Sequence, residues 1–139
     1  MTYAKKLGFH WGMTTNGIQI NDEIIEKMKS SGMETISISV DGLRDTHNEF
    51  RGVPNSYERI INVEKLKKAN FLDWLQITTV INKSNINELE KLYSVIQDLS
   101  INSWRILSIE PIGRANENED LLLKKEDYER LLTFISSKR

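Results

Sequence analysis

The sequence predicts an α/β domain made of four consecutive βα units with their strands parallel. Three observations lead there. Stretches rich in β-branched and aromatic residues fall at 9–15, 35–40, 74–81 and 104–109, each of strand length. Apolar residues at helical spacing follow every one of them. The connections are short, and strand–helix–strand successions of this kind pack as parallel strands joined by right-handed crossovers.

Taken in order, Phe9-His10-Trp11-Gly12-Met13-Thr14-Thr15 reads as the first strand, closed by Asn16-Gly17. The residues before it read as the tail of an earlier helix. A helix follows with Ile24, Ile25 and Met28 on one face, Asn21 as N-cap and Gly32 just past its end, the residue types those positions favour. The second strand is 35–40. The next helix is expected to start at Ser56, after Pro54, carrying Ile60, Val63 and Leu66. The third strand is 74–81. Asn85 with Glu88 three residues on suggests a capping pair for a helix bearing Leu89, Leu92, Ile96 and Leu99. The fourth strand is 104–109. A polar segment around residues 116–120 leads to a last helix with Tyr128, Leu131, Leu132 and Ile135.

Composition narrows the function. The 139 residues make one domain with room for a core. Nineteen Lys and Arg against 20 Asp and Glu leave no basic footprint for nucleic acid and no polybasic membrane patch. No apolar run approaches the ~20 residues of a spanning helix, and the first residues carry no signal-peptide pattern. A cytoplasmic protein is the default expectation. There is no cysteine, so no disulfide, thiolate zinc site or cysteine-held iron–sulfur cluster belongs to these residues.

The polar residues gather at strand ends: Thr14, Thr15 and Asn16; Ser39 and Asp41; Thr78, Thr79 and Asn82. The last strand runs through Ser108 into Glu110-Pro111-Ile112-Gly113-Arg114. In open α/β sheets and in barrels, ligands bind at the carboxyl ends of strands. Arg51, twelve residues beyond Ser39, is of the type that clamps a carboxylate or phosphate with two hydrogen bonds. A small-molecule site along one rim of a sheet is the reading these residues support unaided.

Thr15-Asn16-Gly17, Ser39-Val40-Asp41-Gly42, Arg51-Gly52, Thr79-Val80-Ile81-Asn82 and Pro111-Ile112-Gly113-Arg114-Ala115, in that order and spacing, resemble the radical S-adenosylmethionine (SAM) superfamily. The likeness is to the subgroup of peptide-modifying maturases, sulfatase-maturing enzymes and haem- and quinone-cofactor biosynthesis proteins. It implies four parallel βα units of a (β/α)6 barrel, the present strands being the third to sixth. It also implies an oxidoreductase or maturase that reductively cleaves SAM to a 5′-deoxyadenosyl radical with a 4Fe–4S cluster and acts on a peptide or small-molecule substrate. Ser39 and Arg51 would bind the polar parts of SAM, with Arg51 on its carboxylate. Thr15 and Asn16 would lie beside the cofactor, Asp41 at the rim near substrate or ribose, and the Gly113-Arg114-Ala115 turn on the adenine side. The family's Cys-x3-Cys-x2-Cys loop, its glycine-rich segment after the second strand and the cysteine-rich extension common in the subgroup are all missing. The expectation is therefore a fragment of a longer enzyme, inert by itself.

Plainer readings stay open for the same residues. Ser39 is also a tolerable strand residue. Arg51 would serve equally in a surface pair with Asp45 or Glu49, and Asp41-Gly42 is ordinary turn chemistry. His10 and His47 stand alone, with no partner at metal-ligand spacing. Trp11, Trp74 and Trp104 fall at strand starts and read as packing residues. A non-catalytic α/β module for a small ligand or a protein partner is the alternative function. In either case strands 9–15 and 104–109 become sheet edges, which favours self-association.

Overall fold

In the computed structural model, which describes residues 2–112 and 117–138, four strands form one fully parallel sheet in the order β1-β2-β3-β4. The strands are β1 (Gly12–Thr15), β2 (Thr35–Ser39), β3 (Trp74–Ile81) and β4 (Ser103–Ser108). The helices are α1 (Thr2–Lys6), α2 (Asp22–Ser30), α3 (Arg44–Arg51), α4 (Ile61–Ala69), α5 (Leu89–Asp98) and α6 (Lys125–Ser137). Short 3-10 turns at Tyr57–Ile60, Ile86–Glu88 and Glu119–Leu121 precede α4, α5 and α6. This is the partial (β/α) barrel that the sequence predicts.

Strand order equal to chain order has a direct consequence. Each right-handed crossover steps to the same side, so the helices collect on one face of the sheet. That face is the apolar one. Ile36, Ile38, Val40, Leu75 and Ile77 pack with Ile25 and Met28 of α2, Val63 and Leu66 of α4 and Leu92 and Ile96 of α5. A second cluster joins Ile81, Ile86 and Leu89 to Leu131 and Phe134 of α6. Trp104 packs against both clusters and donates its indole N–H to the Thr79 hydroxyl (2.8 Å). Each large apolar side chain buried here contributes ~1.5–3 kcal/mol.

The alternate residues face the other way and are mostly polar, with Trp74, Val80 and Leu107 the apolar members. Register sets Thr14 beside Ser37, Ser37 beside Gln76 and Gln76 beside Ser103. Their side chains bond to one another: Ser37 Oγ lies 2.7 Å from Thr78 Oγ1, and Gln76 donates to Ser37 and accepts from Ser103 (3.2 and 3.1 Å). In a closed barrel this would be the interior wall.

Local chemistry explains most boundaries. Asn21 caps α2 as expected, its Oδ1 accepting the Ile24 N–H (2.9 Å). Gly32 follows the C-cap Ser31 in the left-handed region (φ +72°), which glycine occupies without strain. α6 is tied down at its start, where Asp127 accepts from Lys124 N–H (2.9 Å) and from Lys83 Nζ at the end of β3 (2.7 Å). The Lys83 hydrogen bond, then the Lys124 N–H, hold the Asp127 carboxyl below its ordinary range.

Four expectations need correction. β1 begins at Gly12 rather than Phe9, because Phe9 N–H closes α1 on the Ala4 carbonyl (3.0 Å) behind the left-handed Gly8. Arg44–Arg51 is a helix, where the sequence offers no apolar stripe; His47 is its only buried residue. Asn85 and Glu88 do not form a capping pair: Asn85 Oδ1 accepts the Asn82 N–H (2.9 Å), and Glu88 reaches across to the β2–α3 loop. Trp74 is 46% exposed and donates to Ser103 on the polar side (3.0 Å), so it does not pack in the core as Trp11 and Trp104 do.

Ile77, fully buried between α-helices and sheet neighbours, is the test of this core. Ile77→Ala should lose about 2–5 kcal/mol in urea-unfolding curves, whereas Leu132→Ala, at a position 65% exposed on α6, should stay within about 0.5 kcal/mol.

Candidate functional site

The carboxyl ends of β2 and β3 meet at Asp41, which is completely buried. A buried carboxylate is costly unless its oxygens are satisfied, and here every polar group of the residue is. Its N–H donates to His47 Nδ1 (2.9 Å). Its Oδ1 accepts the Val80 N–H (2.9 Å). Its Oδ2 accepts Arg51 Nε (2.6 Å) and a terminal nitrogen of the same guanidinium. Its carbonyl accepts Asn85 Nδ2 (2.8 Å). His47 and Arg51 are four residues apart on α3, hence on one helix face.

The loop after Asp41 is equally fixed. Gly42 has φ +145°, and a Cβ there would lie 2.9 Å from Glu88 Oε2 and 3.1 Å from Thr46. The Glu88 carboxylate fills that space because it accepts the Leu43 N–H (2.8 Å) and the Thr46 hydroxyl (2.6 Å). Glycine is thus demanded by conformation and by contact.

Electrostatics around His47 set its state. Burial pushes the imidazole below its ordinary value; Asp41 works in the opposite direction, Arg51 adds to the lowering, and Glu58 opposes it. A neutral ring that accepts at Nδ1 carries its proton on Nε2. Burial likewise raises the Tyr57 hydroxyl, whose ring meets His47 edge-on at 6.0 Å.

The residues singled out by sequence divide. Ser39 lies on the polar face, in register with Thr78, half-buried, and its hydroxyl bonds to no other described residue. Arg51 pairs with Asp41 and not with Asp45 or Glu49; 31% of its side chain is exposed, and one terminal nitrogen is uncommitted among the described residues. Asn16 borders a narrow crevice shared with Ser39, His47 and Tyr57. Thr15 is in register with Ile38, on the helix-facing side, and its hydroxyl accepts the Gly17 N–H (3.1 Å). Asp41, expected at the rim near substrate or ribose, stands at the end of β2 with its side chain completely buried. The Gly113-Arg114-Ala115 turn lies outside the described residues.

His47, Asn85 and Glu88 were not legible as site residues. The four-residue step from His47 to Arg51 was the available signal, but it needed a helix that the polar stretch 44–51 conceals. Arg105, in register with Thr78, adds an exposed cation to the polar face.

The sequence matches the Radical SAM superfamily over residues 1–96. The chain belongs to the radical SAM superfamily. Among its relatives are proteins named AdoMet-dependent heme synthase, from Methanosarcina barkeri (33% identical, covering 94% of this chain and 37% of that protein) and from Oleidesulfovibrio alaskensis (30%, covering 95% and 34%). A probable GTP 3′,8-cyclase of Saccharolobus islandicus is 28% identical over 91% of this chain and 42% of its own. The chain therefore spans roughly a third of the length of the heme synthases it matches. Among solved structures, anSMEcpe with bound AdoMet and Cp18Cys peptide superposes with a TM-score of 0.76 at 17% identity, over 92% of this chain and 36% of that one. A domain of pyruvate-formate lyase-activating enzyme from Bacteroides vulgatus gives 0.69 at 12% identity, over 98% and 81%. At these identities the structures establish the fold.

The family's two cofactors fare differently against these residues. A cysteine-ligated cluster finds no ligand, since the 139 residues contain no cysteine. Among the described residues no three His, Asp or Glu side chains converge either. Among the described residues Arg51 keeps one uncommitted terminal nitrogen and Ser39 a hydroxyl without a partner, the donor chemistry that a carboxylate-bearing ligand would require.

Asp41→Ala should cost about 3–5 kcal/mol in chemical denaturation, because it removes both the Arg51 pair and the acceptor of the Val80 N–H. Asp41→Asn, which keeps an acceptor for Val80 N–H, should cost about 1–3 kcal/mol. Equal losses would show that the Arg51 pairing, rather than the Val80 bond, carries the hub.

Proposed function

We propose that these residues supply the SAM-carboxylate side and the adjoining substrate-facing wall of a radical SAM oxidoreductase, with β1–β4 as the third to sixth strands of its barrel. The observation that carries this reading is the Asp41–Arg51 pair beside Ser39. A buried carboxylate fixes the guanidinium, and on the adjoining polar face the Ser39 hydroxyl has no partner among the described residues. A preset Arg fork binds a carboxylate with less ordering cost than a free one. Arg51 would take the SAM carboxylate, Ser39 would hydrogen-bond the same amino-acid end, and Asn16 would flank it. Bound there, SAM supplies the one-electron carbon–sulfur cleavage of its family. The names of the relatives favour a haem-forming tetrapyrrole as substrate class.

The absence of cysteine supports a second reading, a non-catalytic ligand or protein module on the same fold. SAM binding distinguishes the two. Amide shifts on adding SAM to the 15N-labelled chain are expected at Ser39, Gly42 and Arg51, with weak affinity and no 5′-deoxyadenosine formed. Arg51→Ala should weaken binding about ten- to hundredfold, the loss of a charge-assisted hydrogen-bonded pair. Shifts confined to other regions, or affinity indifferent to Arg51→Ala and Ser39→Ala, would favour the module.

The same arrangement bears on association. β1 and β4 are the sheet's outer strands, and an unpaired parallel edge invites pairing with another chain. Light-scattering chromatography is expected to show mass rising with concentration; a constant monomer mass would reject association through these edges.

A further inference from the structure

We propose that His47 is a positioning residue: its neutral imidazole holds the Asp41 main chain, and its protonation uncouples Arg51 from Asp41. Three features of the geometry lead there. First, His47 is 3% exposed, and its Nδ1 is the acceptor for the Asp41 N–H at 2.9 Å. An imidazolium carries a proton on both nitrogens, so a charged His47 would set one donor against another.

Second, the strand side of that contact cannot give way easily. The same peptide unit is gripped from its other end, where the Val40 carbonyl accepts the Thr79 hydroxyl (2.6 Å). Asp41 is further fixed by Val80 and Asn85. The helix side has no apolar anchor: α3 buries only His47 and is otherwise held by polar contacts, Glu88 accepting from Leu43 N–H and the Thr46 hydroxyl at its start and Asn48 accepting from Ser56 and Tyr57. Third, Arg51 lies one turn further along that helix. Displacing His47 from Asp41 therefore moves the base on which the Arg51 side chain stands.

The groups facing the imidazole are Asp41 from the end of β2, Arg51 from α3 itself, and Tyr57 and Glu58 from the 3-10 turn, with Arg59 lining the same crevice. Burial outweighs the attraction of Asp41 and Glu58 and holds the imidazole below its ordinary value, which favours the neutral ring. A histidine whose folded-state value is depressed costs no stability above the unfolded value of ~6.5 and loses stability as pH falls below it. What the coupling means for ligand binding rests on the proposed role of Arg51; the coupling itself does not.

The experiment is a 15N NMR pH titration of the chain without ligand, following the His47 ring nitrogens, the Asp41 amide and Arg51 Nε–H. All three are expected to change with one common midpoint below 6.5, with Arg51 Nε–H losing protection from exchange on the acid side. His47→Asn places a non-titrating oxygen where Nδ1 sits; in it the Asp41 and Arg51 signals should hold their high-pH positions through that range. Arg51 Nε–H remaining bonded while His47 and the Asp41 amide titrate would overturn the proposal. So would an Arg51 transition that persists in His47→Asn. Should the variant not fold, the wild-type titration alone decides. A failure of the SAM reading would leave these signals unchanged, so the two results are separable.

Discussion

The arrangement around Asp41 depends on the cost of placing a carboxylate where water does not reach. Having buried it, the fold must spend a helix face, a strand amide and an asparagine on its satisfaction. Those obligations fix the ends of β2 and β3 relative to each other, set α3 across them and aim Arg51. Partial satisfaction would be worse than none, because an unpaired buried polar group costs more than a pair contributes. The site and the local fold are for this reason one network.

The remaining geometry follows from topology. Because successive strands add on the same side, apolar and polar residues separate onto opposite faces of one sheet. The helices claim Ile36, Ile38, Leu75 and Ile77, and the other face retains Ser37, Gln76, Thr78 and Ser39. A doubly wound sheet would cover both faces and confine its ligand site to a switch point. Here the whole polar face is available, and the strand ends raise Ser39 and Arg51 at its rim.

The strands were legible because each announces itself twice, by β-branched residues along its length and by polar residues at its end. α2 was legible from Asn21, its apolar face and Gly32. α3 was not, since a helix that buries one histidine has no periodic apolar signal. The local mark it does carry is Gly52, which closes it in the left-handed region (φ +62°). Asn85 and Glu88 illustrate a different limit: their spacing suits a local cap, yet both are drawn to partners about 44 residues away or to the β3 turn. Local propensity yields where a tertiary partner is a buried carbonyl or an otherwise unsatisfied amide. The pairing of Arg51 with Asp41 was not legible, because Asp41-Gly42 reads as turn chemistry and the nearer carboxylates of Asp45 and Glu49 offered themselves first.

The division of the interior into two clusters sharing Trp104 bears on motion. α6 contributes only to the second cluster, through Leu131 and Phe134, and is fastened polarly by Lys83 to Asp127. Cooperative units that share few apolar contacts open independently of one another. α6 can therefore detach, with Trp104 registering the loss, while the larger cluster beneath β2 and β3 keeps Asp41 sealed. Amides of α6 would exchange by this local opening and those of Ile36, Ile38 and Ile77 in the sheet centre only by global unfolding, giving one small domain two separate clocks.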